Sequence, residues 1–274
     1  MLQLNGVTRR FGSTIAIDNL NIEIPQGQMV AVIGRSGAGK STLLRMINRL
    51  IEPDQGAIRS GQIDVRALRG NDLQRWRARC SMIFQQFNLT GRLDVLTNVL
   101  IGRVAETGTF ATLFKNFSAS DRMRAAEALD RLGLLPQALQ RAETLSGGQQ
   151  QRVAIARVLV QRPDIILADE PIASLDPGNA QVVMDSLRQI NREDRTTVIC
   201  NLHTLDVARK YCDRIVGMSR GRVVFDGSPL YLDEARLSEI YQDDGPGLGD
   251  AVAPVRGVRP REAEVGERAA LNAA

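Results

Sequence analysis

Met29-Val30-Ala31-Val32-Ile33 runs directly into Gly34-Arg35-Ser36-Gly37-Ala38-Gly39-Lys40-Ser41-Thr42. Behind that stretch, Leu43, Leu44, Ile47 and Leu50 recur at helical spacing. A short, unbroken apolar run is the pattern of a buried parallel strand. The glycines after it predict a tight loop, and Ser41 to Leu50 predicts a helix. Strand, glycine loop and helix in that order place backbone N–H groups at a helix N-terminus, where orphan donors and the macrodipole favour phosphate oxygens. The glycines let the main chain close on those oxygens without a Cβ in the way. Gly34, Arg35, Ser36, Gly37, Ala38, Gly39, Lys40, Ser41 and Thr42 are therefore candidate nucleotide-binding residues. Lys40 is expected to reach the β- and γ-phosphates, and the Ser41 hydroxyl to bind Mg²⁺.

Outward from this loop the pattern is mixed. Leu2-Gln3-Leu4 and Leu20-Asn21-Ile22-Glu23-Ile24 alternate as half-buried strands, and Pro25-Gln26-Gly27 turns the chain between them and Met29. From about residue 86 to 160 the pattern becomes helical. Asp121 to Leu132 repeats apolar residues at Met123, Ala126, Leu129 and Leu132, and Gln149 to Val160 forms a second apolar-faced segment. Strand-type runs return at Ile165-Ile166-Leu167, Thr197-Val198-Ile199-Cys200 and Arg214-Ile215-Val216. The reading is an α/β core, about 1–85 and 161–244, with a helical subdomain at about 86–160. Residues 245–274, with scattered prolines and charges and no periodic face, are expected to be a disordered tail.

Composition narrows the class. The chain has 274 residues, 43% of them apolar, and a net charge of +4 spread along its length. That spread offers little to nucleic acid and suits an anionic nucleotide. No apolar run approaches the roughly 20 residues of a membrane span, so membrane association is expected only through a partner. Cys80, Cys200 and Cys212 lack metal-like or CxxC spacing and are expected to be reduced thiols.

Two further constellations carry chemistry. Asp169 ends the apolar run Ile165-Ile166-Leu167-Ala168, where a carboxylate can hold Mg²⁺ or its water. Glu170, one residue on, is placed to polarise an attacking water. Leu145-Ser146-Gly147-Gly148-Gln149 opens a helix, so Ser146, Gly147, Gly148 and Gln149 form a second anion site. One chain holds only one γ-phosphate, and the second site is best explained by the ATP of a second copy. His203, the single histidine, follows the Thr197 to Cys200 run, from which its imidazole can contact the γ-phosphate and hold Glu170 in register.

With these three motifs and the Gln149-Gln150-Gln151-Arg152-Val153-Ala154-Ile155-Ala156-Arg157 helix, the chain resembles the ATP-binding subunits of ABC transporters from about Leu2 to Asp244. The resemblance implies a P-loop NTPase cassette with a RecA-like core, an N-terminal antiparallel β subdomain and an inserted α-helical subdomain. It implies ATP and Mg²⁺ as ligands, and two ATPs clamped in a head-to-tail homodimer. It also implies that Gln85, with Gln86 as the alternative, senses Mg²⁺ and the attacking water. By the same resemblance Asp176, in Ser174-Leu175-Asp176-Pro177, contacts the opposite subunit. Phe11 stands where the family places an adenine-stacking tyrosine, and its alternative is a core aromatic.

The stretches Phe84-Gln85-Gln86-Phe87-Asn88-Leu89, Asn98-Val99-Leu100-Ile101-Gly102-Arg103 and Tyr211-Cys212-Asp213-Arg214-Ile215-Val216 resemble the phosphonate-importer ATPases in particular. This resemblance implies separately encoded integral membrane permease subunits and a solute-binding protein reached through them. It places the chain at the cytoplasmic face of the inner membrane as a peripheral subunit. The alternatives are an importer ATPase for phosphate or polar amino acids, and an ABC ATPase acting on nucleic acid or ribosomes. Against the latter, about 100 residues separate Lys40 from Leu145 and hold no sustained heptad repeat. Between Gly102 and Ser120, Phe110, Leu113, Phe114 and Phe117 read either as lobe core or as an amphipathic contact surface.

Overall fold

The computed structural model describes residues 1–104 and 117–241. The expected tail and the residues Phe110, Leu113 and Phe114 lie outside this described part. Strands β1 (Leu2–Phe11) and β2 (Thr14–Ile24) form an antiparallel ladder, joined by β4 (Gln55–Ser60) and β5 (Ile63–Asp64) in a sheet of order β2-β1-β4-β5. A second sheet of order β10-β9-β3-β8-β7-β6 contains β3 (Met29–Ile33), β6 (Cys80–Ile83), β7 (Ile165–Asp169), β8 (Thr197–Asn201), β9 (Arg214–Ser219) and β10 (Arg222–Gly227). Five of these strands run parallel, and β10 returns antiparallel at the edge.

Every residue of β3, β7 and β8 is buried. Their side chains alternate between two cores, as the pleat requires. Met29, Ala31, Ile33, Ile166, Ala168, Val198 and Cys200 enter one core, and Val30, Val32, Ile165, Leu167 and Ile199 enter the other. The second core is closed by α1 (Lys40–Ile47), α2 (Gly70–Arg79) and the antiparallel sheet, with Trp76 buried and its indole N–H donating to the Ile47 carbonyl at 3.0 Å. The first core receives α3 (Val95–Leu100), α4 (Ala119–Arg131), α5 (Gly147–Leu159) and α6 (Pro177–Asp194), together with α7 (Leu205–Tyr211) and α8 (Glu234–Tyr241). Phe117 lies in this core, on the lobe-core side of its two readings.

Between β6 and β7 the described residues form α3, α4, α5 and short 3₁₀ turns. Asn98 pins the entry to this region. Its buried side-chain amide accepts from Thr90 N at 2.8 Å and donates to the carbonyls of Thr90, Asp94 and Leu93. Arg103 and Asp121 form an ion pair at 3.0 Å in the same region, both buried.

Two sequence expectations are corrected. The helix after the glycine loop ends at Ile47, not Leu50. Arg49 turns to φ +62° so that its guanidinium donates to the Val65 and Arg66 carbonyls, and Leu50 is left exposed. Met123 is 63% exposed, so the buried stripe of α4 runs instead through Ala125, Ala128 and Leu129. The 3.6-residue period fits several stripes, and packing against α3 and α5 selects one.

The three cysteines are buried and unpaired. Burial pushes the Cys80 and Cys200 thiols far above the ordinary range and the Cys212 thiol up to about 12. Iodoacetamide at about pH 8 should therefore label no cysteine in the native chain and all three in guanidinium, read by intact mass. Ready labelling of the native protein would contradict this packing.

Candidate functional site

Because β3, β8 and β7 are parallel, their carboxyl ends share one edge of the sheet, where ligands of open α/β folds bind. The loop after β3 is the Gly34 to Gly39 stretch. Gly39 has φ +100°, and a Cβ there would lie 2.3 Å from the Ala16 carbonyl oxygen. Gly34 meets the Met218 carbonyl at the same distance. The loop is thus pressed between β2 and β9 so closely that only glycine fits at these two points. No side chain caps the N-terminus of α1, which leaves its first-turn amides to an anion.

Lys40 is 4% exposed and folds back over the loop, its Nζ donating to Gly34 O at 2.7 Å and Arg35 O at 2.8 Å. Two of its three N–H donors are so used, and the third remains for a ligand. Burial lowers the pKa of the ammonium, while the charges of Glu170 and Asp169 oppose that shift.

Asp169, at the end of β7, is 3% exposed. Its Oδ1 accepts from Ser41 Oγ at 2.7 Å and from Asn201 Nδ2 at 2.9 Å, and its Oδ2 faces Arg45 at 3.5 Å. Next to it Glu170 takes φ +53°, a left-handed conformation that turns the chain sharply at the strand end. Its Oε1 lies 2.6 Å from His203 Nε2, so with Glu170 ionised the imidazole N–H donates to it. Glu170, Asn201 and His203 line one cavity of about 580 Å³ with Leu175, Met184 and Tyr211. Lys40, Ser41, Asp169, Glu170 and His203, distant in sequence, thus meet at one edge.

The other expected residues are placed differently. Gln85 and Gln86 are exposed just beyond β6. Ile83 pairs with Ala168, so Gln85 leaves the sheet at the level of Glu170. Phe11 is 45% exposed, with the Arg9 guanidinium 4.7 Å from its ring centroid, which removes the core-aromatic alternative. Ser146 caps α5 in a reciprocal box with Gln149: Gln149 N donates to Ser146 Oγ at 3.3 Å, and Ser146 N donates to Gln149 Oε1 at 2.9 Å. Gly147 is exposed, and Gly148 packs so close to Asn179 that a Cβ would lie 2.3 Å from its Oδ1.

Asn179 in turn donates through its backbone and side chain to Asp176, which caps α6. These bonds hold the Asp176 carboxyl below its ordinary range. The second glycine loop and the Asp176 turn therefore form one surface. Among the described residues, none of the hydrogen bonds of Ser146, Gln149 or Asp176 reaches the Gly34 to Thr42 loop.

Sequence reasoning missed Asn201 and Arg45. The available signal was a polar residue ending the buried β8 run. It became meaningful only once β8 was known to pair with β7 at Asp169.

A family model described as ABC transporter matches residues 17–173. The chain is 61% identical over 246 residues to the phosphonates import ATP-binding protein PhnC of Agrobacterium fabrum, covering 90% of this chain and 86% of that one. It is 56% identical over 264 residues to the protein of that name from Rhodopseudomonas palustris strain BisB5, covering 95% and 98%. Among solved structures, the dimeric post-hydrolysis state of the ATP-binding cassette MJ0796 bound to ADP and Pi matches with TM-score 0.71 and 36% identity, over 84% of this chain and 99% of that one. The cbiO1 structure from Clostridium perfringens, part of the transporter complex cbiONQ, matches with TM-score 0.74 and 29% identity over 87% and 92%.

Replacing Lys40 removes the buried ammonium that folds back over the glycine loop. Lys40→Ala should lower ATP affinity by at least about a hundredfold, as expected for a lost charge-assisted contact of several kcal/mol. Calorimetric titration checks this, and unchanged binding would remove the role assigned to Lys40.

Proposed function

The chain belongs to the ABC transporter family and, within it, to the phosphonates import ATP-binding proteins, and from that premise we propose how it works. It is the ATP-hydrolysing subunit that powers phosphonate import through separately encoded permease subunits. The observation that carries the mechanism is the Glu170–His203 pair, 2.6 Å apart, one residue from the Ser41–Asp169 hydrogen bond. The backbone of Gly34 to Thr42 and the Lys40 ammonium bind the ATP phosphates. Phe11, exposed at the tip of β1, stacks on the adenine.

The donor set at Ser41 and Asp169 fits Mg²⁺. Both are oxygen ligands held 2.7 Å apart, and Mg²⁺ is usually bound by one or two protein oxygens with waters and phosphates filling its shell. When bound there, the cation neutralises charge developing on the transferred phosphoryl group. Glu170 orients and polarises the attacking water, accepting its proton, and His203 fixes the carboxylate in place. Gln85, level with Glu170 at the sheet edge, couples the state of the site to the helical region that follows it.

The second glycine loop completes the site of another copy. Ser146 and Gly147 are exposed at the N-terminus of α5, and their bonds close locally rather than on this chain's own phosphate loop. A head-to-tail dimer would bring Ser146 to Gln149 onto the γ-phosphate of its partner and the Asp176 turn against the partner's Glu170 region. No helix among the described residues is long and apolar enough to cross a membrane. On the family reading, the chain sits on the cytoplasmic face of the inner membrane through its permease, and a solute-binding protein delivers the phosphonate from the other side.

Glu170→Gln keeps the phosphate-binding groups and removes the base. It should accumulate as an ATP-bound dimer in size exclusion with Mg²⁺ and abolish uptake of labelled alkylphosphonate in cells. A persistent monomer argues against the sandwich, and normal uptake argues against the assigned base or substrate. Ser146→Arg should bind ATP as the wild type does but lose hydrolysis by at least about a hundredfold, since the arginine would obstruct the partner's γ-phosphate. Full hydrolysis by that variant would mean that each chain completes its own site.

A further inference from the structure

Asn201 is the last residue of β8, paired in register with Asp169 on β7. It is wholly buried, at the end of a strand whose preceding residues Val198, Ile199 and Cys200 are apolar. Its Nδ2 donates to Asp169 Oδ1 at 2.9 Å and to Ser41 Oγ at 3.3 Å. The opposite amide orientation would set its carbonyl oxygen against the carboxylate, so the network fixes the direction of the group. The consequence falls on the other end of the amide. Asn201 Oδ1 is turned away from Asp169, buried, and without a hydrogen-bond partner.

A buried, unpartnered carbonyl oxygen is costly, and an isosteric leucine at this position would avoid that cost. The amide is explained if its oxygen gains a partner in the working state. Asn201 lines the same cavity as Glu170 and His203, while its nitrogen holds Ser41 and Asp169. The amide therefore lies between the two cation-ligand oxygens and the catalytic pair. Magnesium retains several waters when bound by so few protein oxygens, and each such water needs hydrogen-bond acceptors. A neutral amide oxygen supplies one without adding negative charge beside the phosphates.

We propose that Asn201 is a positioning residue for the Mg²⁺ site: its N–H groups hold Ser41 and Asp169 as one ligand pair, and its Oδ1 accepts a hydrogen bond from a cation-bound water. This rests on the ATP and Mg²⁺ reading of the site given above. Partners that orient metal ligands in this way are worth about ten- to a hundredfold in metal affinity.

The test is calorimetric titration of the full chain with ATP, once in EDTA and once in Mg²⁺, together with Mn²⁺ binding to the ATP complex by electron paramagnetic resonance. For Asn201→Leu, ATP affinity in EDTA should stay at the wild-type value. The gain conferred by Mg²⁺, and the affinity for Mn²⁺, should each fall by at least about tenfold. Asn201→Ala, which deletes the amide without new bulk, should show the same split and serves if the leucine variant folds poorly. Equal losses with and without metal would reduce Asn201 to a packing role, and an unchanged Mg²⁺ gain would overturn the proposal. A wild type whose ATP binding ignores Mg²⁺ would instead undercut the reading of the cation site itself.

Discussion

The hydrogen bond from Ser41 to Asp169 joins the first turn of α1, just after the glycine loop, to the end of β7, and the site depends on it. It spans 128 residues of sequence and exists because β3, β8 and β7 run parallel, so that their carboxyl ends open on one edge. Asn201, from the strand between them, ties the same two groups together. An antiparallel neighbour would have sent one of these groups to the far side of the sheet. The continuous burial of the three strands between two cores keeps the edge rigid enough for distances near 3 Å to be maintained.

Around that bond the chain concentrates features that are unfavourable for a folded protein. Lys40 is buried with its charge, Glu170 holds a left-handed backbone angle, Asn201 carries an unpartnered oxygen, and Gly34 and Gly39 are pressed against neighbouring carbonyls. Each is tolerated where charge, phosphate oxygens or water would satisfy it, and the surrounding core over-determines the geometry. The glycine positions show this most plainly, since a Cβ at either would overlap backbone that cannot move aside.

The second glycine loop obeys a different constraint. Its serine and glutamine satisfy each other in a capping box, and Gly148 lets it pack against Asn179 and the Asp176 turn. The result is an exposed helix N-terminus on a surface built within one chain but not directed at that chain's own phosphate loop. An exposed helix N-terminus whose hydrogen bonds, among the described residues, close within the loop itself suits the composite site between two copies proposed above.

The sequence by itself determined the parts whose chemistry is local. The glycine spacing after an apolar run, the Asp169-Glu170 strand end and the Ser146 to Gln149 helix start were legible because each follows from backbone geometry over a few residues, whereas the 2.6 Å approach of His203 to Glu170 depends on the β7–β8 pairing. The tertiary structure decided what depends on which elements lie side by side. It exposed Met123 and Leu50, which helical periodicity alone had counted as buried, and it set Phe11 at the surface under Arg9. It also added β4 and α2, whose Ile58 and Trp76 gain their apolar partners only across the second core. Asn201 reads as an ordinary strand-end polar residue until the β7–β8 register sets it against Asp169. The reason is physical: propensity and period act within a segment, whereas register and packing arise from contacts between segments far apart in the chain.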